Sequence, residues 1–219
     1  MRYIAIVVGH STDKPGAEIG VSADGVWHGS GIHEHEWSRE LARRLTGRLE
    51  KFPSMVPIIF ERALKGSYQA RMLDICQRVN RSPAELVISL HFNAMPSGYK
   101  GSQSGGEALH YPGSVRGAHA ADCLGRACAY GVGNPFRGAK GQARSWAAST
   151  VDPVTLQPIP DGPPLYILTH TKAPAVILEP FYGDHSGDTI AATESRDSGR
   201  LASCLSVSIV NLLESWSKS

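Results

Sequence analysis

The chain has 219 residues, 42% of them hydrophobic and 19% charged, with 22 Lys and Arg against 20 Asp and Glu for a formal charge of +2. That length makes one large domain or two small ones, and the composition excludes a disordered, collagenous or disulfide-stapled chain. The even charge balance argues against a nucleic-acid partner, and four cysteines without a C-x-x-C pair (Cys76, Cys123, Cys128, Cys204) read as reduced thiols.

Taken in chain order, the first element is a strand. Ile4 to Val8 is a continuous apolar run, the pattern of a strand buried on both faces of a parallel sheet. The stretch around it, MRYIAIVVGHSTD, has one positive charge and no small-residue cleavage site after the run, so it reads as a strand and not as a signal peptide. A loop, GSGIHEHE, leads to a helix over Trp37 to Phe52, with Trp37, Leu41, Leu45 and Leu49 on one face. Val56 to Phe60 is a strand closing on Glu61 and Arg62. Tyr68 to Val79 is a helix that places Met72, Ile75 and Val79 together. Leu86 to Leu90 is the second continuous run and ends in His91, and Val115 to Tyr130 reads as a further helix. From Gly131 to Pro164 the chain is dense in Gly and Pro, which predicts a long loop. Ala175 to Leu178 is the third buried run, ending in Glu179. The last helix, Gly199 to Trp216, carries Leu201, Leu205, Ile209 and Leu212 at helical spacing. Strands alternating with helices predict an α/β domain with a largely parallel sheet. No stretch approaches the roughly 18 apolar residues of a membrane helix, so no membrane insertion is expected.

In open α/β sheets ligands bind beyond the carboxyl ends of the strands. His10, His91 and Glu179 each follow one of the three buried runs, which brings all three to one edge. A further ligand is expected from His33, Glu34, His35 and Glu36 in the loop before the first helix. Two His and one carboxylate with an open fourth position make a catalytic zinc site. The plainer reading of that tetrad is a helix N-terminus whose acidic residues complement the dipole. There is no H-E-x-x-H, no G-x-S-x-G elbow and no phosphate loop.

The succession IAIVVGH, GIHEHEWSRELARRL, PIIFERALKGSYQARMLDICQRVN, ELVISLHFNA and TKAPAVILEPF resembles the zinc-dependent N-acetylmuramoyl-L-alanine amidases of the amidase-3 type over nearly the whole chain. The stretch Ser89 to Ala94 carries it most strongly. The resemblance implies a single catalytic domain over residues 1–219, with a twisted, mostly parallel sheet flanked by helices on both faces, phosphorylase/hydrolase-like. It implies zinc on His10, Glu34 and His91, with Glu36 as the other candidate carboxylate, and Glu179 as the catalytic glutamate. Arg62 and Arg71 match arginines that recur in the family and are expected to be structural. Asn93, His170 and His185 are candidates for contacts to substrate or to the developing oxyanion. The implied activity is hydrolysis of the amide between N-acetylmuramic acid and L-alanine in peptidoglycan. A related zinc amidohydrolase or carboxypeptidase on another acyl amide or peptide is the enzymatic alternative; a non-catalytic peptidoglycan-binding module is the alternative of another class. The chain departs from the family after Glu179, where Pro180-Phe181-Tyr182 and GDHSGD follow, and in a long segment from about Gln142 to Pro164. Without a signal peptide, the protein is expected to be made in the cytoplasm and to reach the wall by holin-type release, as a phage endolysin, or by injection. The oligomeric state is not legible.

Overall fold

The computed structural model describes residues 1–21, 28–95, 101–138, 144–145 and 165–217. In chain order these form β1 (Arg2–Val8), β2 (Glu18–Val21), β3 (His28–His33), α1 (Glu34–Leu49), β4 (Met55–Phe60), α2 (Tyr68–Arg81), β5 (Leu86–Leu90), β6 (Glu107–His110), α3 (Val115–Val132), β7 (Arg144–Ser145), α4 (Tyr166–His170), β8 (Ala175–Glu179), α5 (Ser186–Asp197) and α6 (Arg200–Trp216). Six strands make one sheet in the order β4-β1-β5-β8-β6-β7, while β2 and β3 pair antiparallel as a separate hairpin. From β4 to β8 every pairing is parallel; β6 runs antiparallel to β8.

The three continuous apolar runs follow from helices on both faces. Successive side chains of a strand point to opposite faces. Ile4, Ile6, Val8, Leu86, Ile88, Leu90, Val176 and Leu178 therefore enter one core with α1, α3, α5 and α6. Ala5, Val7, Val87, Ala175 and Ile177 enter a second, with Met72, Ile75 and Val79 of α2 and Tyr166 to Leu168 of α4. A strand with water on one face would have alternated polar and apolar residues.

Three aromatic rings clasp one end of the sheet to α1. Trp37 packs edge-on against Phe92 and Phe181, with centroids at 6.0 and 4.9 Å, and Phe92 lies 4.9 Å from Phe181. Phe92 follows β5 and Phe181 follows β8, so the clasp holds the carboxyl ends of both strands under the first turn of the helix.

Several expectations need correction. The first helix begins at Glu34 and not at Trp37, which makes Glu34 a helical residue instead of a loop one. The hairpin of β2 and β3, the strand β6 and the helices α4 and α5 had no visible signal: they are short or, in α5, polar, with Asp188, Thr189, Ala192 and Ser195 as the buried face. Of the loop expected over residues 131–164, residues 139–143 and 146–164 lie outside the described ones, as does most of the long segment from about 142. In the remainder, Gly131 and Val132 complete α3, Phe136 bridges to Gly106, and Arg144–Ser145 pair with β6. Among the described residues, no helix is long and apolar enough to cross a membrane.

Candidate metal centre

Because β1, β5 and β8 are adjacent and parallel, their carboxyl ends bring His10, His91 and Glu179 to one edge. The first turn of α1 lies over that edge. Its leading N–H groups have no partner within the helix; here Glu34 N–H donates to the Ala17 carbonyl and His35 N–H to the Pro15 carbonyl, both at 2.9 Å. Glu34 is thereby fixed with its carboxylate 3.0 Å from His10 Nε2 and 2.7 Å from His91 Nδ1, accepting the Phe92 N–H at 3.2 Å. The ligand atoms of His10, Glu34 and His91 all lie within 4.8 Å of one another. No other cluster of this kind occurs among the described residues.

The surroundings over-determine this placement. His10 has φ 56, the one described non-glycine residue in the left-handed region, and such a conformation persists only where neighbours enforce it. The Ser11–Lys14 turn after it is held by Asp13, which accepts from the Ser11 hydroxyl at 2.7 Å and from the Arg71 guanidinium at 2.8 and 3.0 Å. A Cβ at Gly9 would collide with the Leu90 carbonyl oxygen, and one at Gly16 would come within 2.7 Å of the Glu34 carboxylate. The second ring nitrogen of His91 is 3.2 Å from the Ser89 hydroxyl, an anchor of the kind that orients metal-binding histidines.

Electrostatics separate the two glutamates. Burial works to raise Glu34, yet the hydrogen bonds from His10 and His91 and their charges outweigh it and hold the carboxyl at about 2. Burial pushes His91 below the usual imidazole range, the direction that favours the neutral ring a metal needs, against the pull of Glu34. Glu179 goes the other way: burial first, then the charges of Glu34 and Glu107, hold it well above the usual carboxylate range. Its Oε2 is buried and meets no hydrogen-bond donor among the described residues. A cavity of about 400 Å³ opens beside the cluster, lined by His10, His91, Glu179, Arg62, Arg71 and apolar side chains from the sheet, α2 and α4. Two imidazoles and one buried carboxylate, with a fourth direction open to a cavity, fit a catalytic zinc.

The other candidates lie elsewhere. Glu36 is exposed among Arg39, Glu40 and Arg43, because two residues along a helix turn the side chain about 200° away. His35 is buried and donates from Nδ1 to the Gly9 carbonyl at 3.1 Å, tying α1 to the end of β1. His33 is the residue before α1 and makes no side-chain cap. His170 is exposed at the end of α4, against the Tyr166 ring at 5.0 Å. His185 caps α5, accepting the Asp188 N–H at 3.2 Å. Neither lines the cavity. Asn93 joins the segment after β5 to the segment after β8 through its backbone, donating to the Phe181 carbonyl and accepting from the Gly183 N–H, and its amide donates to Glu107 at 3.4 Å. Glu107 is the residue that sequence reading missed. It stands opposite Glu179 in the β6–β8 register and is ion-paired with Arg137 at 2.9 Å. Ser89 was legible in principle, since residues two apart on a strand share a face.

Residues 4–211 match the amidase-3 family model, described as N-acetylmuramoyl-L-alanine amidase. No curated protein matches the chain by sequence. Among solved structures, the chain is similar to an N-acetylmuramoyl-L-alanine amidase from Clostridium difficile 630, with TM-score 0.72 and 16% identity over 98% of this chain and 97% of that one. The catalytic domain of CwlV, an N-acetylmuramoyl-L-alanine amidase from Bacillus (Paenibacillus) polymyxa var. colistinus, aligns with TM-score 0.69 and 17% identity over 98% and 99%. The catalytic domain of the CD27L endolysin, which targets Clostridia difficile, aligns with TM-score 0.66 and 22% identity over 96% and 98%. At these identities the likeness is one of fold: a mostly parallel sheet flanked by helices.

Proposed function

This chain belongs to the amidase-3 family of N-acetylmuramoyl-L-alanine amidases, and from that premise we propose that it hydrolyses, with zinc, the amide bond between N-acetylmuramic acid and L-alanine in peptidoglycan. The observation that carries the reading is the convergence of His10, Glu34 and His91 beside a Glu179 oxygen that is buried without a hydrogen-bond donor among the described residues.

His10, Glu34 and His91 would hold the metal. When bound, zinc supplies Lewis acidity, polarising the scissile carbonyl and lowering the pKa of the attacking water from about 16 to about 7. The proton chemistry belongs to Glu179. Its Oε2 takes the proton from the attacking water and returns it to the alanine nitrogen as the C–N bond breaks, leaving a carboxylate on the lactyl group and a free amine on alanine. Burial and the neighbouring carboxylates, which raise Glu179, bring it toward the working pH where such transfer is effective. Ser89 keeps the His91 ring in place, and Asp13 with Arg71 fixes the turn that presents His10.

A bacteriolytic, endolysin-type role with residues 1–219 acting as one catalytic domain is part of the proposal, supported by the near-complete mutual coverage with the CD27L catalytic domain. Mass spectrometry of muropeptides after digestion of purified peptidoglycan tests the reading. It predicts new N-terminal L-alanine on intact glycan strands, lost with a chelator and restored by zinc. Products cut between sugars, or at a peptide bond further along the stem, contradict it.

A further inference from the structure

Arg62 and Arg71, a pair in the sequence, differ sharply in their surroundings. Arg71 is buried on α2 and its charge is met by Asp13 at 2.8 and 3.0 Å. Arg62 stands just beyond the carboxyl end of β4 and has no carboxylate partner among the described residues. Its Nε is buried without a hydrogen-bond partner among the described residues, and its guanidinium lies 5.9 Å from the centre of the Tyr68 ring. Burial pushes the Arg62 pKa down, as it does for a cation whose lost hydration is not fully replaced.

Arg62 also lines the cavity that holds His10, His91 and Glu179. The carboxylate of Glu34 is engaged by two imidazoles and the Phe92 N–H, and Asp13 by Ser11 and Arg71, so neither is available to it. Exposed Lys14 adds a second cation to the lining, while Val7, Met72 and Ile177 make the wall apolar. A guanidinium in such a place is matched by a carboxylate, which its planar fork binds through two parallel hydrogen bonds.

We propose that Arg62 is a substrate-binding residue that holds a carboxylate of the stem peptide: the α-carboxylate of the glutamate that follows the scissile alanine, which bears the alanine's carbonyl on its amine and carries the stem onward through its side-chain carboxyl, so that the α-carboxylate stays free. The inference rests on the amidase reading. On the peptide side of the cleaved bond, that carboxylate is the nearest negative charge, and a cavity of about 400 Å³ lies in the range that small ligands occupy. The enzyme then separates stems with a free carboxylate from those in which it is amidated.

The test is a rate comparison with the zinc-loaded protein on two muramoyl tetrapeptides that differ only at the second stem residue, D-glutamate or D-isoglutamine. Wild type is expected to favour the glutamate substrate by about ten- to a hundred-fold in kcat/KM, chiefly through KM. Arg62→Gln is expected to bring the two substrates to within about two-fold of each other, and Arg62→Lys to keep part of the preference. Zinc content and melting temperature of each variant establish that it is folded, and the wild-type comparison decides even if Arg62→Gln does not fold. Equal rates in wild type, or an undiminished preference in Arg62→Gln, overturn this inference alone. If neither substrate yields a free alanine N-terminus, the amidase reading falls and this inference with it.

Discussion

Glu34 and Glu179 are two buried carboxylates with opposite assignments, and their donors decide which is which. Glu34 is surrounded by His10, His91 and a backbone N–H, so it stays ionised, as a metal ligand must; Glu179 meets two like charges and, among the described residues, no donor at Oε2, so its carboxyl is held well above the usual carboxylate range. Substituting Glu179→Gln is therefore expected to retain bound zinc while lowering turnover by about 10² to 10⁴, read from muropeptide release and elemental analysis. The same contrast shows in the stability of the metal-free protein. Glu179 has a folded pKa above its unfolded value of about 4.3, so the stability it contributes is present in acid and is lost as pH rises through the folded pKa. Urea titrations of chelator-treated wild type and Glu179→Gln across that window isolate the share of this one group: the difference between them should shift in favour of the variant as pH rises. A pH-independent difference would contradict the assignment. At this scale the sequence was informative where a residue type sat at a strand end, as for His10, His91 and Glu179. It could not tell Arg62 from Arg71, because their difference lies in one ion pair to Asp13 across 58 positions.

Elements position these residues through the aromatic clasp. Trp37 and Phe181 are fully buried and Phe92 nearly so, and together they join α1, which carries Glu34, to the ends of β5 and β8, which carry His91 and Glu179. Phe181→Ala is expected to cost about 3–5 kcal/mol, measured by chemical denaturation, as for other large-to-small changes in packed cores. Because Phe181 lies two residues past Glu179, folded Phe181→Ala protein should also lose activity. Within the stretch that departs from the family after Glu179, Phe181 is thus a packing residue. Long, fully covered elements were legible: β1, β5 and β8 from unbroken apolar runs, α1 and α6 from leucines at helical spacing. β6, a four-residue strand with Glu and His at its ends, and α5, whose buried face is made of Asp, Thr, Ala and Ser, offered no apolar period to read. Missing β6 meant missing Glu107, the carboxylate it sets opposite Glu179.

At the scale of the whole molecule, a sheet covered on both faces leaves its carboxyl edge as the place where polar groups can gather without disturbing either core. All four cysteines are free, and burial raises the thiols of Cys76 and Cys128, so no disulfide holds this frame together. The edge itself depends on parallel strands that are far apart in sequence, which is why three single residues, unremarkable one by one, become a site only through the sheet order. Zinc stoichiometry is the direct test of that site. Elemental analysis after chelation, zinc loading and desalting should find one zinc per wild-type chain and none in His91→Ala. A wild-type chain that retains no zinc, or a His91→Ala chain that retains as much as wild type, contradicts the account.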